Sequence, residues 1–185
     1  LIVPGVSSNL TMNPQSTDQT ICSSSDAVYS FNYQQTGGAT TNFTLTGVPV
    51  GVTSNISPTS LNADGTFDVT FSNLTNVAAN TYNINVIGDD TNETETRIIK
   101  LRVLHSDFTA YPQSLTTPVN GALEIPFALS LTWSENLNAE SYLVEVSTNP
   151  SFSSIAYSDT ETDLSFELND LLSETVYYWR VRPSN

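Results

Sequence analysis

Residues 89–95, DDTNETE, crowd Asp89, Asp90, Glu93 and Glu95 into one short stretch. Hard oxygen donors at that density suit calcium better than a transition metal, which favours nitrogen and sulfur ligands. The spacing is not that of an EF-hand loop. A solvated turn is the plainer reading, and calcium is the one cofactor these residues suggest. Asp159, Glu161 and Asp163 form a second cluster that reads the same way. Tyr157 and Tyr178 are the candidates for a ligand surface, because flat rings stack on sugar faces and two of them pointing outward would give a platform for a polysaccharide. Groups that could do catalysis are scarce. The chain has a single histidine, His105, and a single cysteine, Cys22. A Ser-His-Asp or Cys-His arrangement would have to be assembled around one of them from distant parts. No catalytic residue is assigned, and the chain is expected to be non-catalytic.

Charge narrows the partners. The 185 residues carry 19 acids and 5 bases, a net charge of −14. It divides as −5 before His105 (8 acids, 3 bases) and −9 from there on (11 acids, 2 bases). Neither half has the basic footprint of a nucleic-acid binder, and an acidic surface is repelled by anionic membranes. No apolar stretch is long enough to span a bilayer as a helix. One cysteine excludes an internal disulfide and the usual Cys-rich zinc site. Cys22 reads as a small apolar residue, with pairing to a cysteine elsewhere left open. The chain opens at Leu1 without the pattern of a leader, and it reads as a piece cut from a longer polypeptide.

The elements that must position these residues are strands. Apolar residues alternate and nowhere recur at helical spacing. In the first half the alternating sets are Ala27, Tyr29, Phe31 and Tyr33; Phe43 and Leu45; Phe67, Val69 and Phe71; Tyr82, Ile84 and Val86; and Ile99, Leu101 and Val103. The acidic stretch 88–96 reads as the exposed tip of a hairpin. Alternation lapses over 105–118, where Pro112 and Pro118 stand. The domain joint is placed there, with His105 at the hinge and one or both of Phe108 and Tyr111 expected to pack between the domains. Alternation resumes in Leu129, Leu131 and Trp133; Tyr142, Val144 and Val146; Leu164, Phe166 and Leu168; and Tyr177, Trp179 and Val181. On this last strand Tyr178, Arg180 and Arg182 face the other way. Short strands at regular spacing indicate an all-β chain of two consecutive antiparallel sandwiches, residues 1–104 and 105–185.

Three stretches of the second half, LTW at 131–133, YLVEVSTNPSF at 142–152 and LLSETVYYWRV at 171–181, resemble a fibronectin type III domain over residues 114–182. The resemblance implies that Trp133 packs at the core centre. It also implies that Leu171 and Tyr177 form a tyrosine corner whose hydroxyl bonds back to the backbone. Ser173 and Glu174 stand where that family more often has Pro-Gly. The family's last strand should follow Val181 and does not, so the second sandwich is expected to lack it and to leave an exposed edge. The first half is similar to a bacterial immunoglobulin-like module over residues 10–104, through Gly47, Pro49, Gly51 and Val52, the Asn-Thr-Tyr of 80–82 and the early Cys22. Such modules stand beside fibronectin domains in large secreted bacterial proteins, often metalloproteases exported by the type IX route.

The expected role is therefore a non-catalytic spacer in a secreted or cell-surface protein, whose partners are the other domains of the parent chain. The alternative is an adhesion module that binds a polysaccharide or an extracellular protein, with calcium assisting.

Overall fold

A computed structural model describes residues 9–185. The expected domain start at residue 1 and the reading of the opening residues as a cut terminus lie outside the described residues. The chain is all-β and divides into two compact units, Leu1–His105 and Ser106–Asn185.

The first unit contains β1 (Asn9–Pro14), β2 (Asp18–Cys22), β3 (Ala27–Thr36), β4 (Thr41–Thr46), β5 (Thr53–Ser57), β6 (Ser60–Leu61), β7 (Gly65–Ser72), β8 (Asn80–Asp89) and β9 (Thr94–Leu104). They form two sheets, ordered β1-β3-β7-β5 and β2-β9-β8-β4-β6. Alternation decides which face is buried. Ala27, Tyr29, Phe31 and Tyr33 of β3 are buried, and so are Phe67, Val69 and Phe71 of β7 opposite them. Ile84 and Val86 of β8 and Ile99, Leu101 and Val103 of β9 complete the core from the other sheet. An aromatic stack joins the layers. Phe67 lies parallel to Phe31 at 4.8 Å and to Phe43 of β4 at 3.9 Å, while Tyr33 meets Phe43 edge-on at 5.4 Å. Contacts of this kind add about 0.5–1.5 kcal/mol per pair beyond the area they bury.

Two features depart from the sequence reading. The polar segments of β1 and β2 are strands as well, and β2 runs parallel to β9, from Asp18 opposite Lys100 to Cys22 opposite Leu104. One ladder of the expected antiparallel sandwich is thus parallel. The β8–β9 hairpin is where alternation placed it, with Asn80 opposite Val103 and Asp89 opposite Thr94. Gly88 on β8 has a spatial reason. A Cβ there would come within 2.9 Å of the Met12 sulfur and 3.2 Å of Thr41 Cγ2, so glycine leaves room for the buried Met12 side chain.

The second unit contains β10 (Leu115–Thr117), β11 (Leu129–Trp133), β12 (Ser141–Ser147), β13 (Tyr157–Glu161), β14 (Ser165–Leu168) and β15 (Tyr178–Ser184). Its sheets are β10-β11-β14 and β13-β12-β15. Leu131, Trp133, Tyr142, Val144, Val146 and Leu168 are buried between them, with Phe166, Trp179 and Val181 packed against that cluster and half-buried. Leu164, expected inside, is exposed before β14 begins. Phe108 packs against this second core. His105 goes with the first unit, where its Nε2 lies 2.7 Å from the Val77 carbonyl. The tyrosine corner is present. Tyr177 and Leu171 pack on the core, and the Tyr177 hydroxyl accepts from the Leu172 N–H at 3.2 Å. Among the described residues β15 pairs only with β12, which leaves its other edge free.

Candidate functional site

The acidic tip of the β8–β9 hairpin is built around backbone. Asp89 Oδ1 accepts from Thr91 N, and Asp90 Oδ1 accepts from Asn92 N at 2.9 Å and Glu93 N at 2.7 Å. Short acidic side chains close turns in this way because their oxygens reach N–H groups two or three residues on. Thr91 takes a left-handed φ of 74° within the same turn.

The two glutamates reach a strand more than eighty residues away in sequence. Glu93 Oε2 accepts from Leu10 N at 3.1 Å, and Glu95 Oε2 accepts from Met12 N at 2.8 Å. Arg97 forms an ion pair with Glu95, and its Nε donates to the Met12 carbonyl at 2.7 Å. Leu10 and Met12 are the buried residues of β1. Three alternate side chains, Glu93, Glu95 and Arg97, on the face of the β9 arm that carries the buried Ile99 and Leu101, therefore cover the edge of β1 that does not face β3. A buried backbone N–H without a partner is costly, and a carboxylate acceptor forms one of the stronger hydrogen bonds. Asp89, Asp90, Glu93 and Glu95 are brought together as a hairpin tip, but each of them is engaged with backbone. Among the described residues no group of three or more Asp, Glu, His or Cys converges as a cation cage.

The tyrosine candidates are separated by the sheet. Tyr157 stands opposite Val146, whose side chain is in the core, and Tyr178 stands opposite Ser147 on the other face. A residue's face is fixed by the pleat, so the two rings cannot share a platform. Tyr157 packs against the core, and its hydroxyl donates to the Asp170 carbonyl at 3.4 Å. Tyr178 is 37% exposed.

Next to Tyr178 lies a polar arrangement that the sequence reading did not single out. Glu145 of β12 receives Arg180 Nε at 2.7 Å and Arg182 Nη2 at 2.8 Å on a single oxygen, Oε2. The Arg180 guanidinium also lies over the Phe152 ring at 4.2 Å. Hydrogen bonding from Arg180 is the main cause that holds the Glu145 carboxyl below its ordinary range, with both guanidinium charges acting the same way against burial. One carboxylate between two guanidiniums leaves a positive remainder. Alternation alone put Arg180 and Arg182 on one face, but only strand register brings Glu145 to them.

Two further features stand out among the described residues. Cys22 is an exposed free thiol at the end of β2. A shallow groove of the first unit is lined by Asp18, Gln19, Thr20, Thr81, Lys100 and Arg102. It holds no nucleophile paired with a base.

No family model matches the chain, and no curated protein matches it. Similar solved structures include a crystal structure of titin domains, at 11% identity and a TM-score of 0.45 over 96% of this chain and 60% of that one. An endo-fucoidan hydrolase of glycoside hydrolase family 107 is similar at 13% identity and a TM-score of 0.41, over 100% of this chain and 28% of that one. The VesB protease of Vibrio cholerae is similar at 13% identity and a TM-score of 0.36, over 51% of this chain and 31% of that one. The chain thus spans from about a quarter to three fifths of these proteins.

Proposed function

We propose that the two sandwiches are non-catalytic structural modules of a larger secreted or cell-surface bacterial protein, holding its other domains apart. The observation that carries this reading is where the charged side chains are used. Glu93 and Glu95 are bonded to the backbone of β1, and Glu145 is bonded to two arginines. These carboxylates build the sandwiches and do not converge on a cleft. The resemblance of both halves to accessory modules of exported metalloproteases supports a protease parent as the setting, since fold by itself does not fix activity.

The test is retention of the full chain on insoluble polysaccharides, with calcium and with chelator, beside its melting temperature in both buffers. The spacer reading expects no retention and the same melting temperature throughout. Retention on one polysaccharide, lost in Tyr178→Ala or on chelation, would overturn it in favour of a calcium-assisted adhesion module.

A further inference from the structure

We infer that the groove on the outer face of the first unit's larger sheet is a binding site for an acidic sugar, one ring that carries an oxyanion beside free hydroxyls. This goes beyond the spacer role and leaves it standing, since a groove for one charged ring gives no grip on an uncharged insoluble polymer.

The groove is a product of register. β2 runs parallel to β9 and sets Asp18 opposite Lys100 and Thr20 opposite Arg102. On the other side β8 sets Thr81 opposite Arg102. The core takes Ile99, Leu101 and Val103 of β9, so the pleat turns Lys100 and Arg102 to the outer face together. Two residues apart on one strand, their side chains start about 7 Å from each other. Asp18, Gln19, Thr20, Thr81, Lys100 and Arg102 line a groove of about 210 Å³. Drug-sized ligands take roughly 300–1,000 Å³, so this space suits a single ring.

The charges decide the ligand. The first unit holds 3 bases against 8 acids before His105. Arg97 is bound to Glu95 and to the Met12 carbonyl at the hairpin. The other two bases, Lys100 and Arg102, both line this groove. Among the described residues no ion pair ties Lys100 to Asp18 or to another acid, so its ammonium is available to an anion. A bare anion is a poor fit, because Asp18 stands in the same wall and repels it. The Asp18 carboxylate instead accepts from hydroxyls. Gln19 is pinned by its Nε2, which donates to the Val28 carbonyl at 2.6 Å, and its amide oxygen is left as an acceptor. The Thr20 and Thr81 hydroxyls can donate or accept. Together these groups match a ring whose oxyanion goes to Lys100 and Arg102 and whose hydroxyls go to Asp18 and the threonines. An acidic peptide side chain would satisfy the cations alone and leave Asp18 facing a second negative charge.

The experiment uses the full chain and four soluble probes: glucuronate, glucose 6-sulfate, glucose and inorganic sulfate. Binding is followed by residue-resolved amide shifts at low and at physiological salt. At low salt the better acidic sugar should bind roughly fivefold more tightly than glucose, as two exposed ion pairs allow. Which of the two is better tells whether the oxyanion is a carboxylate or a sulfate. Shifts should gather at Thr20, Thr81, Lys100 and Arg102, and inorganic sulfate should bind more weakly than that sugar. Lys100→Gln should bring the acidic sugar and glucose to near-equal affinity while the melting curve stays that of the parent chain. Asp18→Ala should weaken the sugar and strengthen inorganic sulfate. Should Lys100→Gln not fold, the parent chain still decides, because salt must shrink the acidic sugar's advantage. Equal binding of acidic sugar and glucose, sulfate binding as tight as the sugar's, shifts that gather at Arg180 and Arg182 of the second unit, or no binding would each overturn the proposal.

Discussion

Two of the molecule's edge strands, β1 and β15, face the same physical problem and are treated differently by the described residues. Along β1 the N–H groups of Leu10 and Met12 and the carbonyl of Met12 are taken by Glu93, Glu95 and Arg97, side chains of the neighbouring sheet's hairpin. Along β15 one amide, Gln113, touches one carbonyl. A free edge is a template for another strand. The first unit covers its edge with charged side chains, whereas the described residues of the second set one neutral amide on theirs. The cores differ in the same sense. Among the described residues 3 exposed large hydrophobics lie in the first unit, Val28, Val50 and Ile98, while 11 lie in the second, from Leu115 to Tyr178.

The largest expected effect that tests this contrast is reached at the two ends of the pH scale, because the units keep different protonation states. In the first, Tyr29 is buried and its hydroxyl donates to the Lys100 carbonyl at 2.6 Å. Burial first, and the charge of Asp18 second, push its pKa up to about 12 from 10.0. Tyr33, bonded to Thr41, is raised too, mainly by burial. A raised acid favours the neutral form in the folded state. Its contribution is complete below about 10 and is lost as pH climbs from there toward 12. In the second unit the Glu145 pKa is lowered from 4.5, chiefly by its hydrogen bond from Arg180, and that of Asp107 from 3.8, chiefly by its bond from Thr109. Those contributions are complete above the ordinary carboxylate values and are lost as pH falls through the lowered ones. Trp133 and Trp179 both belong to the second unit, whereas tyrosines are spread over both. Tryptophan fluorescence should therefore report an acid transition, and tyrosine absorbance an alkaline transition that starts in the first unit. Loss of both units together at either extreme would break the contrast.

The contrast could be read only in part from the sequence. Alternation exposed the core strands because each is buried on one face, and so Phe31, Phe67 and Trp179 were placed correctly. β15 was legible because Tyr177, Trp179 and Val181 alternate with Tyr178, Arg180 and Arg182. β1 and β2 were not legible. NLTMNP offers two apolar residues, Leu10 and Met12, which is too few to establish a period. The parallel register of β2 on β9 depends on a crossing that no local pattern encodes. Glu93 and Glu95 read as part of a solvated turn with calcium as the other candidate, and their hold on β1 was not legible for the same reason, since the groups that use them lie 83 residues away. Glu145 gave no signal at all, since it is one acid of many until register sets it beside Arg180.

A smaller effect, confined to the sealed edge, comes from Glu95→Ala. It removes the acceptor of the Met12 N–H and the ion-pair partner of Arg97 while leaving the hairpin turn to Asp90. A buried donor left without a partner costs about 1–3 kcal/mol. The unfolding free energy of the first unit should fall by that amount, and exchange at the Met12 amide should quicken. The second unit's transition should not move. A loss below about 0.5 kcal/mol would place the change among ordinary surface substitutions and show that the glutamates do not seal the edge.

The smallest effect is expected at the matching position on the open edge, and it is the most discriminating. Gln113→Ala removes one neutral hydrogen bond to the Val181 carbonyl, a loss of about 0.5–1.5 kcal/mol. It also removes a buried amide oxygen that has no partner, a gain of similar size. The two offset, so the stability of the second unit should change by no more than about 0.5 kcal/mol in chemical denaturation. A loss of more than about 2 kcal/mol would mean that Gln113 closes its edge as firmly as Glu95 closes the edge of β1. The two edges would then be alike in energy, and the contrast between them would fall.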